Sequence, residues 1–141
     1  MNTITYKAGN DLDLDAVIDL YEKSTLGERR PLDSRDIMRD MIRNANLIIT
    51  AWDGDKLVGI SRSLTDFSYV AYLADLAVHR DYQKKGIGKE LVRVTREHLK
   101  ASCFITLLAA PLADTYYAKI GFERHPRAWV LNTNVETEKK E

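Results

Sequence analysis

The sequence has little cysteine and proline and no long apolar run. One cysteine among 141 residues excludes an internal disulfide framework. No apolar stretch reaches the roughly 20 residues that a membrane-spanning helix needs. Residues 1–15 also lack the basic segment and apolar stretch of a secretory signal. We therefore expect a soluble, cytoplasmic chain with no membrane partner.

An excess of charge of one sign is also absent. The chain has 21 Lys and Arg against 21 Asp and Glu, which gives no indication of a nucleic-acid partner. Charge is concentrated locally instead. Residues 79–100 carry seven Lys or Arg against three acids, whereas residues 1–40 carry nine acids against six Lys or Arg. Solvated helix faces explain such local charge as well as a binding surface does.

Length and patterning predict one domain over residues 1–141, with a frayed tail at 136–141. Apolar residues make up 45% and charged residues 30%, which is ordinary for a globular domain. Periodicity and turn residues give the order of elements. That order is strand 3–7, helix 11–24, helix 34–45, hairpin 46–64, strand 69–79, helix 86–100, strand 103–110, helix 112–120 and two weaker strands near 122–125 and 128–132.

The second predicted helix carries two specific expectations. Asp33 or Ser34 can cap its N-terminus, because both side chains accept hydrogen bonds from free helical N–H groups. Its apolar positions recur at helical spacing, and we expect them on one buried face. These positions are Ile37, Met38, Met41 and Ile42.

The stretch from Tyr69 to Ala110 predicts a parallel pair of strands, because a helix-length crossover returns the second strand in the direction of the first. The preceding hairpin, with its Asp-Gly turn at Asp53 and Gly54, predicts antiparallel pairing. The sheet should therefore be mixed. The segment after the first parallel strand lies at a carboxyl end, where open α/β sheets bind ligands.

That segment is QKKGIG, residues 83–88, and it has the composition of a phosphate-binding loop. Glycines let a ligand approach the backbone, lysines attract an anion, and a helix that begins there directs free N–H groups at it. Two nucleotide-binding motifs fail. A Walker A loop requires Ser or Thr where Glu90 stands, and the dinucleotide fingerprint requires glycine where Leu91 stands.

The pattern Gln-x-x-Gly-x-Gly, directly after a strand ending in Leu-Ala-Val, resembles the signature of the GNAT superfamily of N-acetyltransferases. YYAKIGF at residues 116–122 is similar to a second hallmark, a tyrosine four residues before Gly-Phe. Recognisable similarity covers residues 52–122. The resemblance implies an α/β (α+β) fold, with a mixed, mostly antiparallel, twisted sheet, a central parallel strand pair and helices on both faces.

The resemblance also implies that acetyl-CoA is the cosubstrate. N–H groups of the loop would surround its pyrophosphate, with the dipole of the following helix adding attraction. The pantetheine arm would pair with the strand before the loop, and an N–H near Leu76 would serve as oxyanion hole. The implied cofactor-binding residues are Leu76, Ala77, Val78, Gln83, Lys84, Lys85, Gly86, Ile87, Gly88, Lys89 and Tyr117.

Aminolysis of a thioester also needs a proton for the departing thiolate, and Tyr117 is the catalytic residue that we expect to supply it. On the predicted helix, Leu112, Tyr116 and Ile120 fall on one stripe that should be buried. Tyr117 is turned about 100° from that stripe, so it can face the cofactor sulfur. Packing with a bonded hydroxyl is the structural alternative for this tyrosine.

The general base is open among three options. Asp75 and Tyr72 lie near the expected place, and water alone is the third. On a strand the two side chains point to opposite faces, so at most one lines the acceptor site unless a bulge re-aims a side chain.

Other reactive residues have structural interpretations. Cys103 begins an apolar predicted strand with no adjacent histidine, so we expect a small buried residue and not an acyl-carrying nucleophile. Trp52 and Trp129 lie in strand-like stretches and fit a core or sheet surface. Three scattered histidines and one cysteine have no ligand spacing, so we expect no metal.

The resemblance places the acceptor near residues 28–36, between the first two helices, and near His125 to Trp129. Three arginines of the first segment could pair with a substrate carboxylate or phosphate: Arg29, Arg30 and Arg35. The acidic excess of residues 1–40 favours a cationic amine instead. The small size favours a small-molecule amine or a peptide N-terminus as partner. A homodimer is common among relatives, but no sequence feature decides it.

Three functional hypotheses follow. The first is an acetyl-CoA-dependent N-acetyltransferase that moves the acetyl group directly to a primary amine in a ternary complex. The second is a noncatalytic module that binds or senses acyl-CoA, for which Tyr117 would be irrelevant. The third, a domain that binds nucleotides or nucleic acid, is opposed by the failed motif spacings and the neutral charge.

Overall fold

The computed structural model describes residues 3–133, apart from the side chain of Leu112. These residues form two compact units, one over residues 3–108 and one over residues 109–133. Each unit has its own internal packing. The single domain expected over residues 1–141 stays a prediction.

Residues 3–108 form a five-stranded sheet and three α-helices. The strands are β1 (Ile4–Ala8), β2 (Leu47–Asp53), β3 (Lys56–Thr65), β4 (Val70–Val78) and β5 (Phe104–Thr106). The helices are α1 (Leu14–Glu22), α2 (Arg35–Asn44) and α3 (Ile87–Glu97), with short 3-10 helices at Thr25–Arg29 and Arg80–Tyr82. Strand order follows chain order, and pairing is antiparallel except between β4 and β5. No helix in the described part of the chain is both long and apolar enough to cross a bilayer.

The β2–β3 hairpin follows from its local sequence. Asp53 pairs with Lys56, which leaves Gly54 and Asp55 as a two-residue turn. Gly54 has a φ of 60°, a left-handed conformation that glycine adopts without steric cost. The predicted hairpin is therefore confirmed.

Side-chain caps start the first two helices. Asp15 N donates to Asp13 Oδ1 over 3.3 Å, and Ile37 N donates to Ser34 Oγ over 3.4 Å. Each cap satisfies one of the free N–H groups of a helix start and contributes about 1 kcal/mol. Of the two caps predicted for the second helix, Ser34 is the one that forms.

Helices cover both faces of the sheet, as the resemblance implies. On one face, α1 and α2 bury Leu20, Met38 and Ile42, whereas on the other face α3 buries Leu91. Strands β2, β3 and β4 contribute residues to both clusters, because successive side chains of a strand point to opposite faces. Fully burying a Leu or Ile side chain contributes about 1.5–3 kcal/mol. The mixed α/β architecture is confirmed.

The α3 helix makes its closest approach to the sheet at Gly59 of β3. A Cβ at Gly59 would lie 3.1 Å from Ile87 Cγ2 and 3.1 Å from Leu91 Cδ1. Both contacts are tighter than ordinary packing, so the absent side chain is what admits the helix. Gly59 therefore sets how deeply the first turn of α3 lies on the sheet.

The parallel pair is short and lies at the edge of the described sheet. Only Val70–Tyr72 of β4 pair with β5, through Phe104–Thr106. From there to Val78, the β5 side of β4 has no strand partner within residues 3–108. The strand predicted over 103–110 is thus shorter than expected, because only three of its residues continue the ladder.

Residues 109–133 contain a 3-10 helix, Pro111–Ala113, followed by α4, Asp114–Lys119. Gly121 has a φ of 103°, and the next N–H, of Phe122, donates to Tyr117 O at 3.0 Å. This closing bond ends the helix at the predicted glycine. Arg124 Nη2 also pairs with Asp114 Oδ2 at 2.6 Å, so both partners of this ion pair belong to the smaller unit.

Two predictions about elements are wrong. The weak strands near 122–125 and 128–132 do not form among the described residues, because neither segment joins a ladder with another described strand. Ile37 is 50% exposed, because the buried stripe of α2 is narrow and consists of Met38 and Ile42.

The buried stripe predicted for the fourth helix is not observed on its described side chains. Tyr116 and Ile120 are only half-buried, and a helix of one and a half turns covers little surface. The prediction for Leu112 is not addressed, because its side chain is not among the described side chains. The frayed tail expected at 136–141 also lies outside the described residues.

Candidate active site

The segment Gln83–Lys89, called the glycine loop below, connects the end of β4 to α3. Gln83 Nε2 donates to Val78 O at 3.2 Å, which ties the start of the loop to the last residue of the strand. Ile87 is buried in the core under α3 and anchors the other end. The resemblance implies that Gln83 and Ile87 bind a cofactor, which stays a prediction, and the structure shows that both also hold the loop in place.

Two residues of the glycine loop have left-handed backbone conformations. Lys84 has a φ of 63° and Gly86 a φ of 83°. A Cβ placed on Gly86 would meet no atom within 4 Å, so the space beside this residue is open. At Gly86 the backbone itself therefore borders the open space, because glycine has no side chain there.

The N–H groups of this loop are available to an external acceptor. No described residue accepts a hydrogen bond from the N–H groups of residues 84–89. Gly86 is the N-cap of α3 and provides no side-chain cap. Free N–H groups at a helix start, together with the helix dipole, favour an anion. The loop thus fits a diphosphate group by geometry as well as by composition.

Positive charge surrounds the glycine loop. Lys84, Lys85 and Lys89 are exposed. Lys85 Nζ lies 5.4 Å from the centre of the Tyr82 ring, and Lys56 Nζ lies 5.2 Å from it. These contacts hold cations beside the loop without neutralising them.

The last residues of β4 present an open edge beside the loop. Leu76, Ala77 and Val78 lie beyond the point where pairing with β5 stops. On their other side these residues pair with β3, so within residues 3–108 this part of the strand has a strand partner on one side only. An extended ligand can add to such an edge through backbone hydrogen bonds. Leu76–Val78 and the glycine loop are therefore contiguous, as the sequence implies for a pantetheine arm and its diphosphate.

Asp75, immediately before this edge, belongs to a buried ionic group, called the Asp75 cluster below. Arg30 Nε donates to Asp75 Oδ1 at 2.6 Å. Arg62 Nε donates to Oδ2 at 2.5 Å, and Tyr21 Oη donates to the same oxygen at 2.6 Å. The carboxylate is fully buried. Both of its oxygens are thus occupied by donors from within the protein.

The Asp75 carboxylate is held in its charged form. Burial raises the pKa of Asp75, but attraction to Arg62 and the hydrogen bonds from Arg62 and Tyr21 outweigh it and leave the pKa below its ordinary value. Burial and the adjacent carboxylate raise the pKa of Tyr21 well above its ordinary value. Tyr21 therefore remains a proton donor to Asp75. This buried carboxylate is therefore engaged by internal donors at both of its oxygens.

Tyr72, the other side chain considered as a base, has a different environment. It is 38% exposed and lies where β4 still pairs with β5. A bulge separates it from Asp75, because Ser63 pairs with Leu73 and Arg62 with Asp75, which leaves Ala74 without a partner on β3. β4 thus contains the β-bulge that could change the direction of a side chain on this strand.

Tyr117 lies on α4, in the unit of residues 109–133. Its ring packs edge to face against Tyr116, at 5.4 Å between centres, and against Phe122, at 5.5 Å. Pairs of this kind fix the orientation of a ring within its own unit. Tyr117 is half-buried. Its role as proton donor stays a prediction.

Two of the three arginines expected to meet a substrate have internal partners instead. Arg30 belongs to the Asp75 cluster, and Arg35 Nη1 pairs with Asp15 Oδ1 at 2.5 Å. Among them, only Arg29 has neither an ion pair nor a side-chain hydrogen bond with a described residue. The sequence contained one signal of the cluster, an aspartate in the apolar run LADLAV, since a charge buried in a strand requires a partner.

The remaining candidate residues have structural positions. Cys103 is half-buried and precedes β5, so it does not begin a buried strand as expected. Trp52 packs against the core, whereas Trp129 is 93% exposed and the predicted strand around it does not form. Residues 3–133 hold no group of three or more His, Cys, Asp or Glu side chains placed to bind a metal ion.

Comparisons with known proteins agree with this geometry. A family model described as an acetyltransferase (GNAT) domain matches residues 25–133. The uncharacterized N-acetyltransferase ycf52 of Pyropia yezoensis is 31% identical over 120 residues, which covers 77% of this chain and 67% of that protein. The matched region includes Arg30, Arg62 and Asp75 of the cluster and the whole glycine loop, whereas Tyr21 lies before it.

Solved structures share the fold. A GNAT-family acetyltransferase of Streptococcus pneumoniae superposes with a TM-score of 0.73 at 24% identity, covering 92% of this chain and 98% of that one. The aminoglycoside N-acetyltransferase AAC(6')-Iy, solved in complex with CoA, superposes with a TM-score of 0.73 at 15% identity, covering 96% and 97%. At these identities the likeness is one of fold.

Proposed function

The chain belongs to the GNAT family of acetyltransferases, and on that basis we propose that it transfers an acetyl group from acetyl-CoA to the primary amine of a small molecule or peptide. The transfer is direct, within a ternary complex of enzyme, acetyl-CoA and amine. We further propose that the enzyme acts in the cytoplasm.

The contiguous glycine loop and open β4 edge carry this proposal. The N–H groups of residues 84–89 bind the diphosphate, and Gly86 leaves room for it. The backbone of Leu76–Val78 pairs with the pantetheine arm along the free side of the strand. These two contacts place the thioester beside the start of that edge, at the bulge.

Three roles remain for the reaction itself. A backbone N–H near Leu76 stabilises the negative charge that develops on the thioester oxygen. The amine nitrogen forms a bond to the carbonyl carbon as the carbon–sulfur bond breaks, and Tyr117 gives its proton to the departing sulfur. Water or Tyr72 accepts the proton that the amine loses. Asp75 is not assigned this role, because donors occupy both of its oxygens.

The acceptor is proposed only as a chemical class. Residues 28–36 and 125–129 are the segments assigned to it. One structural neighbour is named an aminoglycoside N-acetyltransferase, but that likeness is of fold alone. The internal pairing of Arg30 and Arg35 removes two cations that would have favoured an anionic acceptor, which leaves the acidic excess of residues 1–40 to favour a cationic amine.

Thermal unfolding with acetyl-CoA tests the binding site. At about 100 times its dissociation constant, the ligand adds roughly 2.7 kcal/mol and raises the unfolding midpoint of the wild type by a few degrees. Gly86→Glu places a carboxylate in the open space of the loop and abolishes the shift. Gly9→Glu is the matched control, because Gly9 also has a positive φ and open space but lies beyond β1. It keeps the shift.

Either of two results would contradict the proposed binding site. One is an unchanged midpoint of the wild type at saturating acetyl-CoA. The other is a Gly86→Glu variant that remains folded and still shows the full shift.

Replacement of Tyr117 by Phe separates an enzyme from a noncatalytic acyl-CoA-binding module. We expect kcat to fall at least tenfold while the Kd of acetyl-CoA is unchanged, because the variant lacks only the transferable proton. Tyr116→Phe is the control on the same helix and keeps its turnover. Release of the free thiol from acetyl-CoA, across a panel of amines, gives the rate. No thiol release from the wild type with any amine would favour the module, and equal rates in both variants would remove Tyr117 from the mechanism.

A further inference from the structure

The Asp75 cluster joins four separate elements at one carboxylate. Tyr21 comes from α1, Arg30 directly follows the 3-10 helix between α1 and α2, and Arg62 comes from β3, while Asp75 itself lies on β4. Arg62 Nη1 also donates to Met41 O of α2 at 3.3 Å. The cluster therefore connects every element on this face of the sheet to one point of β4.

That point is the bulge. Ala74 has no partner on β3, so its carbonyl group lies outside the regular ladder. Arg30 Nη2 donates to Ala74 O at 2.9 Å while Arg30 Nε holds Asp75 Oδ1. One guanidinium thus binds the bulge residue and the residue after it at the same time. The planar fork of arginine suits such a double contact.

The residues that follow the bulge are the ones assigned to pantetheine. Asp75 is adjacent to Leu76, and Leu76–Val78 have no strand partner on their β5 side in the described chain. Their orientation is therefore set by β3 on one side and by the bulge at their start. A rotation at the bulge would turn the N–H and C=O groups of this edge away from a ligand.

We propose that Asp75 and Arg30 are positioning residues, which hold the β4 bulge so that the Leu76–Val78 backbone is oriented for the pantetheine arm and the thioester. This inference rests on the proposed function, since it assigns the cluster a role in the binding of acetyl-CoA. It also gives Asp75 a role other than that of the general base.

The geometry separates positioning from base catalysis. A base needs a lone pair within reach of the proton that it removes. The Asp75 carboxylate is fully buried and surrounded by three donors, whereas Arg30 keeps 23% of its side chain exposed. The exposed arginine can thus be changed with less disturbance to the core than the aspartate.

Arg30→Gln tests the proposal by two independent measurements. Hydrogen exchange of the free protein reports the order of the edge, and we expect the amides of residues 74–78 to exchange at least tenfold faster. Calorimetric titration reports the Kd of acetyl-CoA, which we expect to rise at least fivefold. Arg39→Gln is the matched control, because it breaks an exposed pair with Asp36 on α2, and it leaves both quantities unchanged.

The pH profile of Asp75→Asn gives a second test. If Asp75 positions the strand, kcat/KM falls at every pH and its ascending limb stays at the same pH. If Asp75 were the base, that limb would disappear. Loss of the limb would therefore overturn the proposal, and its retention supports it. Circular dichroism shows whether Asp75→Asn folds. If Asp75→Asn does not fold, the Arg30→Gln measurements alone test the positioning role.

The outcomes separate the two proposals. A wild type that fails to bind acetyl-CoA refutes the proposed function, and with it the role of the cluster in binding. A wild type that binds acetyl-CoA, together with Arg30→Gln that shows unchanged exchange and an unchanged Kd, refutes positioning alone.

Discussion

Two polar regions adjoin the last residues of β4, and they differ in how their polar groups are satisfied. In the Asp75 cluster, every oxygen of a fully buried carboxylate has a donor from the protein. In the glycine loop, by contrast, the N–H groups of residues 84–89 have no acceptor among the described residues, and the lysines around them are exposed.

The contrast indicates what each region is for. A buried polar group costs several kcal/mol unless the protein pairs it, so a fully paired cluster defines structure. N–H groups at a helix start that have no acceptor within the protein are available to a ligand. Predictions about the cluster therefore concern stability first, and predictions about the loop concern binding first.

The largest effect is expected for Asp75→Ala. This change leaves two arginines without their counter-ion, one of them Arg62, whose side chain is only 10% exposed. Removal of one partner from a buried ion pair costs about 3–5 kcal/mol. Asp15→Ala removes the carboxylate of an exposed pair with Arg35 and should cost less than about 1 kcal/mol. Urea unfolding measures both. Equal losses would show that the cluster is no more important than a surface pair.

Gly59→Ala should give the next largest effect, and it links the two regions. The new Cβ would press on Ile87 and Leu91, so we expect a loss of about 1–3 kcal/mol from overpacking. The displaced first turn of α3 should also weaken acetyl-CoA binding. Gly54→Ala meets no neighbour within 4 Å and costs only backbone strain, about 1 kcal/mol, with no change in binding. Unchanged stability of Gly59→Ala would show that α3 and the sheet move apart at this point at little energetic cost.

A smaller effect is expected from the charges of the glycine loop. Replacing Lys84, Lys85 and Lys89 together by Gln should weaken acetyl-CoA binding about tenfold, or about 1.4 kcal/mol, at moderate ionic strength. Stability should change by less than about 0.5 kcal/mol, because these side chains are exposed. The same change at three other exposed basic positions is the control: Lys7, Arg43 and Lys100. A triple lysine variant that loses stability but keeps its affinity for acetyl-CoA would contradict the assignment of this loop to binding.

The smallest effect should appear only in acid. The pKa of Asp75 lies below its ordinary value of 3.8, so the folded state favours the charged carboxylate. Its contribution to stability is present above about pH 4 and is lost as the pH falls through the folded-state pKa. Asp75→Asn should lack this part of the acid dependence, whereas the lysine variants should keep it. Urea unfolding between pH 2 and pH 6 measures the difference. An acid dependence of Asp75→Asn equal to that of the wild type would contradict it.

Features with local causes could be predicted from the sequence. The β2–β3 hairpin that turns at Gly54, the cap at Ser34 and the helix end at Gly121 each depend on a residue and its immediate neighbours. The glycine loop belongs with them, because its glycines and lysines are consecutive. Its structure adds what a pattern cannot give, the left-handed φ of Lys84 and the open space beside Gly86.

Features with distant causes could not be predicted. Asp75 meets Arg30 from 45 positions away and Tyr21 from 54 positions away. No local pattern reports such a pairing, so the sequence alone suggests a substrate contact for Arg30 and keeps Asp75 among the candidate bases. The late strands failed for a related reason, since a strand depends on the presence of a partner and not only on its own residues.

The long separations within the Asp75 cluster also have a consequence for the order of folding. The β2–β3 hairpin and α3 can form from residues close in the chain, but the cluster can assemble only after α1 and β4 have met. Contacts of such separation pay their loop-closure entropy before they stabilise anything. The cluster should therefore be absent from the folding transition state. Weakening it would speed unfolding and leave the folding rate almost unchanged, so this one carboxylate would determine how long the native state persists.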